Sequence, residues 1–409
     1  MGQSPTHADA RMTPQEKKSS LSLASIFALR MLGLFVILPV FAVYARQLPG
    51  GESEFLVGLT LGIYGLTQGI LQIPFGVASD RYGRTPVIVA GLLIFAAGSF
   101  LAAAGDTIWT VMFGRALQGA GAISAAVTAF ISDSVRERVI TKAMAFVGAS
   151  IGLTFALSLV IAPPLTELVG VSGLFAITGI LALIAVLVVK FVVPPAPKSV
   201  AADAGAHQPW QKILFESQLL RLNIGIFVLH AVLTAVFVVV PTRLESMGLP
   251  VLHHWYIYLP AVLVGFAAMM KPIGWAERNR KVTVLVRRTI VLMGIVFALM
   301  IFLMHSVWEI AFLLALFFAC FNILEATLPG MISRAAPKAD KGLALGIYNT
   351  TQNIGLFVGG AAGGAVSQHF SAEAVFALAT FAMLLWLVSA CGLSEPASKT
   401  HEAGEALTV

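Results

Sequence analysis

Charged side chains are scarce in this sequence. Only 11% of the 409 residues are charged, while 58% are hydrophobic and the mean hydropathy is +0.89. A water-soluble protein carries about 25% charged residues, and a single soluble core cannot bury so much apolar surface. The composition therefore excludes an ordinary soluble protein and indicates that lipid surrounds most of the chain.

Other features that define common protein classes are missing as well. The two cysteines, Cys320 and Cys391, lie within apolar runs, where a thiol behaves as a small hydrophobic group. The pattern Gly-x-x-x-x-Gly-Lys-Ser/Thr does not occur, which argues against coupling to ATP by this chain. The first twenty residues are polar, and the apolar run from Leu21 is too long for the core of a signal peptide. We expect no cofactor, no metal ion and no cleaved leader.

Long apolar runs take the place of these features. A membrane-spanning helix needs about 20 apolar residues, and by that measure the sequence predicts twelve spans, which lie at 21–45, 55–78, 86–104, 107–131, 142–165, 171–193, 219–243, 255–276, 283–304, 307–332, 342–366 and 371–393. An even number of spans puts both termini on the same side of the membrane.

The basic residues indicate which side that is. All but five of the 26 Lys and Arg residues fall in the N-terminal segment, the central linker, the tail or the loops after even-numbered spans, or at the span ends that adjoin them. The opposite loops hold Arg46 and Arg243, while Arg30, Arg115 and Lys271 lie within spans. The positive-inside rule then predicts that both termini are cytoplasmic. Since the basic clusters alternate with apolar runs, we expect no nucleic acid as a partner.

An internal repeat divides the chain into two halves. Four motifs recur at a spacing of 198 to 201 residues: Phe27-Ala-Leu-Arg30 with Phe227-Val-Leu-His230, Pro74-Phe-Gly76 with Pro272-Ile-Gly274, Trp109 with Trp308, and Ser132-Asp133 with Ser333-Arg334. The intervening stretch is rich in proline and alanine, as in a linker. We predict an all-α membrane protein whose twelve transmembrane helices form two pseudo-symmetric six-helix bundles. Its segments are a cytoplasmic N-terminal segment at 1–20, the bundles at 21–193 and 219–393, a linker at 194–218 and a cytoplasmic tail at 394–409.

A polar stretch joins the second and third spans, and it reads Gly76-Val-Ala-Ser-Asp80-Arg81-Tyr82-Gly83-Arg84. The spacing G-x-x-x-D-R-x-G-R predicts a tight turn, because glycine supplies backbone freedom. This stretch closely resembles the signature loop between helices 2 and 3 of the major facilitator superfamily of secondary transporters. The run Arg115-Ala-Leu-Gln118-Gly119 is similar to the helix 4 motif of the drug:proton antiporters in that superfamily. The resemblance implies two rocking halves with the substrate site between them, near the membrane midplane.

The resemblance also implies a conformational latch, formed by Gly76, Asp80, Arg81, Gly83, Arg84 and Asp133. In the superfamily the aspartate of this loop lies near the cytoplasmic end of helix 11, and its second arginine pairs with an acid after helix 4. The matching residues are Asp80, Arg84 and Asp133. An Asp80 held at that helix end is expected to stabilise the outward-open state. The second-half copy, Glu277-Arg278-Asn279-Arg280-Lys281, lacks the glycine turn, so we expect a latch in the first half alone.

Ionisable side chains inside spans are candidate functional residues, because a charge at the bilayer centre costs about 2.5–3.5 kcal/mol. Glu325 is the only carboxylate well inside a predicted span, and we expect it to load and release a proton. His230, near the middle of helix 7, is a second candidate proton site. The structural alternatives are a glutamate that is neutralised by a cation or caps a helix break near Pro329, and a neutral histidine hydrogen-bonded in a packed interface. Lys271 lies close enough to a helix end to snorkel.

Two arginines lie on helices that, by resemblance, line the cavity. Because arginine stays charged, Arg30 and Arg115 cannot shuttle protons themselves. They either tune a nearby acid or hold an anionic group, unless they only tie polar side chains and helix ends together. Gln118, Gln68 and Asn322 are further candidates for the substrate site.

These features together predict a secondary active transporter of the bacterial inner membrane, in which proton-coupled efflux of a small amphipathic or anionic solute proceeds by alternating access. Its expected partners are the lipid bilayer, the small-molecule substrate and protons, and we expect a monomer. Two alternatives remain open. One is a proton-coupled importer or uniporter on the same fold, and the other is a membrane sensor that does not transport.

Overall fold

The computed structural model of the chain describes residues 12–136, 139–194, 209–337 and 340–395. All regular structure in these ranges is helical, and no strand occurs in them. The chain divides into two compact units. The first comprises Met1–Ala202 with Pro250–Trp255, and the second comprises Asp203–Leu249 with Tyr256–Val409. Residues 1–11, most of the predicted linker (195–208) and the tail from 396 lie outside the described residues.

The first unit contains seven helices. They are α1 Pro14–Phe35, α2 Leu38–Ala45, α3 Glu54–Tyr82, α4 Arg84–Ala103, α5 Ile108–Ala120, α6 Ser124–Ser134 and α7 Ile140–Phe191. Helices α1 and α4 pack against α7, and α3 and α4 pack against α5.

The first predicted span begins earlier than expected and is broken once. Helix α1 starts at Pro14 because Thr13 and Glu16 form a capping box, each side chain accepting a hydrogen bond from the other residue's backbone N–H. The break between α1 and α2 falls just before Pro39, which has no N–H and whose ring would clash with the carbonyl of Phe35. The polar segment before Leu21 therefore extends the first helix.

The fourth predicted span is also broken, between α5 and α6. Gly121, the residue after α5, has helix-incompatible torsions (φ −74°, ψ 51°). A side chain there would overlap the backbone carbonyl of Gly91 on α4. Glycine is required here by the close approach of two backbones, and the break leaves α6 free to begin at Ser124.

The fifth and sixth predicted spans follow each other as α7, whose 52 residues are interrupted at Gly170 (φ +68°). At 1.5 Å per residue, 52 residues would extend well over twice the roughly 30 Å of a bilayer's apolar core. Helix α7 therefore supplies two spans, with the turn at Gly170. Glycine tolerates that positive φ without strain.

The second unit contains the remaining helices. They are α8 Trp210–Leu214, α9 Ser217–Ser246, α10 Trp255–Arg278, α11 Val282–Phe302, α12 Val307–Ala335, α13 Lys341–His369 and α14 Ala372–Ala390. Helix α9 packs along α13, and α11 packs against α12 and α14. The sequence repeat returns in the helix caps of the two units: Thr107 caps α5 and Ser306 caps α12, each through its hydroxyl oxygen.

Each predicted span has its counterpart among these helices. Within the described part of the chain, nine helical segments are long and apolar enough to cross a membrane. One of them contains both halves of α7, which raises the number of spans to ten. The other two are the broken pair α5 and α6, each too short alone, and α13, which is rich in glycine and polar residues. The prediction of an all-helical membrane protein is confirmed.

Candidate functional site

The signature loop forms a tight turn held by one arginine. Helix α3 ends at Tyr82, Gly83 takes φ +94°, and α4 begins at Arg84. The Nε atom of Arg84 donates to Asp133 Oδ2 at 2.8 Å, and its Nη1 atom donates to Ser79 Oγ at 2.7 Å and to Asp80 Oδ1. Arg84 therefore ties together the ends of α3, α4 and α6. The Asp80 carboxylate is still 66% exposed.

The other members of the predicted latch lie near this turn but make fewer contacts. Arg81 is exposed and stacks on the ring of Tyr82, 5.4 Å from its centroid. A Cβ at Gly76 would lie 3.5 Å from the Cβ of Ala125, an ordinary van der Waals distance. Close packing of α3 therefore does not require glycine at Gly76, whereas the positive φ of Gly83 favours it strongly.

A second ion pair lies three residues beyond Asp133. Arg136 donates to the carboxylate of Glu16 from Nε (2.8 Å), from Nη2 (3.1 Å) and from its backbone N–H (3.0 Å). Glu16 is buried and also caps α1. This pair joins the start of α1 to the segment after α6, and it was not predicted from the sequence.

Two buried arginines meet at one tyrosine in the first unit. Arg30 on α1 is 2% exposed, and Arg115 on α5 is fully buried. Their guanidinium carbons lie 5.9 Å and 4.7 Å from the ring centroid of Tyr64 on α3. We call Arg30, Tyr64 and Arg115 the arginine cluster.

Neutral side chains supply the hydrogen bonds of this cluster. Arg30 Nη1 donates to Ser124 Oγ at 2.7 Å, and Arg115 Nη1 donates to Gln118 Oε1 at 2.9 Å. Gln118 in turn donates to Ser99 Oγ at 2.8 Å, which fixes its amide. Among the described residues, no carboxylate lies within ion-pair distance of either arginine. The expectation that these arginines tune a nearby acid therefore finds no such acid among the described residues of the first unit.

Glycines bring the backbones of this cluster together. A Cβ at Gly119 would overlap the carbonyl oxygen of Tyr64, so α5 lies directly against α3. Gln68 lies one turn beyond Tyr64 and is buried, and its Oε1 atom has no hydrogen-bond partner among the described residues. Gln68 therefore belongs to the same helix face, but it makes no described hydrogen bond to either arginine.

The two candidate proton sites are neighbours in the second unit. His230 on α9 is buried, and its Nε2 atom lies 3.8 Å from Oε2 of Glu325 on α12. Phe321, one turn before Glu325, packs edge-on to the imidazole with the ring centroids 5.8 Å apart. Glu325 Oε2 is buried without a hydrogen-bond partner in the described residues, although the side chain as a whole is 32% exposed.

Hydrogen bonds define the tautomer of His230. Its Nδ1 atom lies 3.3 Å from the carbonyl oxygen of Ile226, and its Nε2 atom lies 2.6 Å from the side-chain nitrogen of Gln352 on α13. A carbonyl oxygen can only accept, and with the amide placed as described, the Gln352 nitrogen can only donate. These assignments give a neutral imidazole that carries its proton on Nδ1 and accepts the Gln352 N–H on its Nε2 lone pair.

Helix packing brings Gln352 within reach of His230. A Cβ at Gly355 would overlap the carbonyl oxygen of Phe227, and one at Gly359 would overlap that of Ala231. Small residues at four-residue spacing let two membrane helices approach closely. Asn322, on the same helix as Glu325, is buried, and its Nδ2 atom has no hydrogen-bond partner in the described ranges.

Three important contacts were not expected from the sequence. They involve Tyr64, Ser124 and Gln352. Tyr64 lies inside the run Ile63-Tyr-Gly-Leu-Thr-Gln68, but an aromatic residue in a span usually indicates packing. Gln352 is part of the polar run Thr350-Thr-Gln-Asn353 in a glycine-rich helix, and that run was the available signal. Among the residues that the structure describes, no three His, Cys, Asp or Glu side chains converge on a metal site.

The chain is similar to transport proteins over nearly its whole length. The family description Major Facilitator Superfamily matches residues 23–286 and 280–408. The inner membrane transport protein YajR of Escherichia coli (strain K12) is 42% identical over 393 residues, which cover 95% of this chain and 86% of that protein. The multidrug resistance protein MdtH of Yersinia enterocolitica is 40% identical over 92 residues, or 22% of each chain.

Solved structures share the fold. A bacterial homolog of the human lysosomal transporter Spinster, in an inward-facing and occupied conformation, superposes with a TM-score of 0.71 over 93% of this chain and 95% of that one, at 11% identity. This likeness confirms the predicted fold of twelve membrane-spanning helices, and the family match identifies a transporter and not an enzyme. This multi-pass membrane protein belongs to the major facilitator superfamily.

Proposed function

We propose that this transporter exports a small amphipathic or anionic solute in exchange for protons by alternating access, in the bacterial inner membrane and with both termini cytoplasmic. The observation that carries the proposal is the pair Glu325 and His230, a carboxyl and an imidazole whose facing atoms are 3.8 Å apart. Both groups can bind or release one proton. A solute carrier with no ATP site needs such a group to use a proton gradient.

The surroundings of Glu325 support its role as the proton carrier. Its buried oxygen, Oε2, has no hydrogen-bond partner in the described residues and lies 3.8 Å from Nε2 of His230, whose lone pair accepts from Gln352. A proton on the carboxyl group removes its charge while the helices move, and its release restores the carboxylate. Nε2 of His230, 3.8 Å from Oε2 of Glu325, can take the proton only when Gln352 no longer donates to it, so Glu325 is the group that loads and releases the proton.

The proposed direction rests on relatives of the chain. The multidrug resistance protein MdtH is similar over about a fifth of this chain, and export is the simplest way for a membrane transporter to confer resistance. YajR, which is similar over almost the whole chain, is described as an inner membrane transport protein. Proton-coupled import on the same fold would use the same proton site, but the solute and the proton would then cross the membrane in the same direction.

Replacement of Glu325 tests the coupling. In proteoliposomes, Glu325→Gln should abolish solute movement driven by a pH gradient and leave solute exchange at equal pH largely intact, because the amide resembles the protonated acid. Glu309→Gln is the matched control, since Glu309 caps the start of the same helix and glutamine also fits a capping box. Gradient-driven flux that is unchanged in Glu325→Gln would contradict the role of Glu325.

The same vesicles test direction. With the interior made acidic relative to the outside, an exporter reconstituted inside-out should accumulate solute in the vesicle as protons leave. If solute accumulates in vesicles of the same orientation only when the outside is acidic, the protein is a proton-coupled importer. Specific binding of solute without flux under any gradient would instead identify a sensor.

A further inference from the structure

The first unit holds two positive charges without a described negative charge to balance them. Arg30 and Arg115 are both essentially buried, and each uses only its Nη1 atom for a hydrogen bond within the described residues. The Nε and Nη2 atoms of both side chains, and the hydroxyl group of Tyr64, are buried without a hydrogen-bond partner in that part of the chain. Five polar atoms of the arginine cluster are thus unsatisfied together.

The unsatisfied atoms share a geometry. On a guanidinium group, Nε–H and one N–H of Nη2 point to the same side and form a fork that matches the two oxygens of a carboxylate or phosphoryl group. In both arginines this fork is the unsatisfied side, while Nη1 is held by Ser124 or Gln118. The hydroxyl and amide partners thus orient the side chains and leave one fork of each unoccupied.

Burial of such groups without an anion is costly. Arginine remains charged in proteins, and a buried charge whose partner is missing is strongly destabilising. The partners that the structure supplies are neutral: a hydroxyl, an amide and the face of a tyrosine ring. An arrangement that destabilises the ligand-free protein is expected where a bound ligand supplies the missing negative charge.

The positions of the second unit that correspond to this cluster in the sequence repeat carry different side chains. Arg30 corresponds to His230 at an offset of 200 residues, and Ser124 corresponds to Glu325 at an offset of 201. In each unit the two related side chains contact each other. The second unit therefore carries an acid where the first carries a serine. The proton-binding pair and the unbalanced positive charges lie in different halves of the repeat.

We propose that the arginine cluster is the binding site for the anionic head group of the transported solute, a carboxylate or a phosphonate on an apolar body. The forks of Arg30 and Arg115 bind the head group, and the hydroxyl of Tyr64 donates a further hydrogen bond. The inference rests on the proposed transport function and narrows its substrate class from amphipathic or anionic to anionic. The cluster is closed from solvent in the described state, so the solute enters when the helices move in the transport cycle.

A matched set of probes tests this site. The purified protein is reconstituted in nanodiscs of phosphatidylcholine, a lipid with no net charge. Its thermal unfolding is then measured with one of four probes at millimolar concentration and constant ionic strength: 4-phenylbutyrate, 3-phenylpropylphosphonate, 4-phenylbutanamide or 4-phenylbutylamine. A ligand that binds only the folded protein raises the unfolding midpoint. The two anions should raise it, whereas the neutral amide and the cationic amine should not. No rise with either anion, or an equal rise with the amide, would overturn the proposal.

Variants of the cluster locate the binding. Arg30→Met and Arg115→Met should each remove the rise caused by the anions, and Arg30→Lys, which keeps the charge but loses the fork, should reduce it at least severalfold. Arg46→Met is the control, because Arg46 is a partly exposed arginine paired with Glu54. A rise that survives in both methionine variants would show that the anions bind elsewhere and would contradict the proposal.

The ligand-free variants provide an independent readout. Removal of an unbalanced buried charge should leave the unfolding midpoint of Arg30→Met and Arg115→Met unchanged or higher than that of the parent protein. A fall in both would mean that the arginines hold the helices together, and it would also contradict the proposal. This measurement needs no ligand, so it does not depend on the choice of probe.

Flux measurements separate this inference from the proposed function. If the anions bind at the cluster but no pH gradient moves any of the four probes, the transport proposal fails and the binding site stands. If a pH gradient moves the amine or the amide while the anions neither bind nor move, the binding site fails and the transport proposal stands.

Discussion

At the scale of single residues, His230 shows how neighbours define the chemistry of a side chain. The carbonyl of Ile226 requires a proton on Nδ1, and the Gln352 amide requires a lone pair on Nε2. A histidine in water exchanges between its tautomers, but here two contacts from different helices select one. With its lone pair accepting from Gln352, Nε2 lies 3.8 Å from Glu325 Oε2.

The contact between His230 and Gln352 can be measured by a double-mutant cycle. Gln352→Leu should lower the free energy of unfolding by about 1–3 kcal/mol, because it leaves a buried acceptor unpaired. In the background of His230→Phe the same change should cost less, by about 1 kcal/mol or more, since the acceptor is then absent. Thr351→Val is the control: Thr351 bonds to its own helix at Ile347, so its effect should be the same in both backgrounds. Additive effects of His230→Phe and Gln352→Leu would rule out this contact.

At the scale of elements, two helix junctions explain where the polar side chains gather. The break between α5 and α6 sets Ser124 at the start of α6, where its hydroxyl meets Arg30. The turn at Gly83 brings Arg84 to the first position of α4, between Asp80 and Asp133. In both cases a glycine at the junction permits a backbone conformation or approach that another residue would resist.

The signature loop yields a prediction about conformational balance. The family resemblance predicts that Asp80 stabilises the outward-open state at the positive end of α13, and a carboxylate at a helix N-terminus contributes about 0.3–1 kcal/mol or more. A change of about 1 kcal/mol alters a two-state ratio about fivefold. Asp80→Asn should therefore raise the inward-open population by up to that factor and lower transport, with normal folding.

Cysteine accessibility from the cytoplasmic side measures this change, on single cysteines introduced in a background without Cys320 and Cys391. Glu277→Gln is the matched control, because Glu277 lies at the end of α10 in the degraded second copy of the loop. It should leave accessibility and flux unchanged. If Asp80→Asn also matches the parent protein in both measurements, these charges serve topology alone.

At the scale of the whole molecule, the sequence predicts all twelve spans, although only nine helical segments in the described residues are each long and apolar enough to cross a membrane. Helix α7 joins two predicted spans across a turn, the pair α5 and α6 divides one span in two, and α13 is rich in glycine and polar residues. Glycine permits the turn at Gly170 and the close helix packing at Gly121 and along α13.

The predicted orientation can be tested with fusions to a reporter that is active only in the periplasm. A fusion after Gly248, in the turn that follows α9, should be active. Fusions after Gly83 and at Val409 should be silent, because both positions are predicted to be cytoplasmic. The opposite pattern at all three positions would reverse the topology, and a mixed pattern would show that a span has been miscounted.

Much of the candidate site was predictable as residue types but not as contacts. Arg30, Arg115, His230 and Glu325 stand out in the sequence because ionisable groups are rare in lipid-embedded helices. Their partners Tyr64, Ser124 and Gln352 belong to residue types that are common in packed helices, so they carry no signal of their own. Gln68 and Asn322 were expected at the site, yet neither makes a described hydrogen bond to the ionisable residues.

The sequence by itself determined the solvent, the number of spans and the family, because apolar runs, basic loops and a glycine-containing turn are local properties of the chain. Only the tertiary structure decided which charges are balanced. It places Glu325 beside His230 and leaves Arg30 and Arg115 without an acid among the described residues. Residues that are far apart in sequence meet because glycines on α5 and α13 let helix backbones touch. The physical reason is that charge balance depends on distances of a few ångströms between helices, and the order of residues along the chain does not specify those distances.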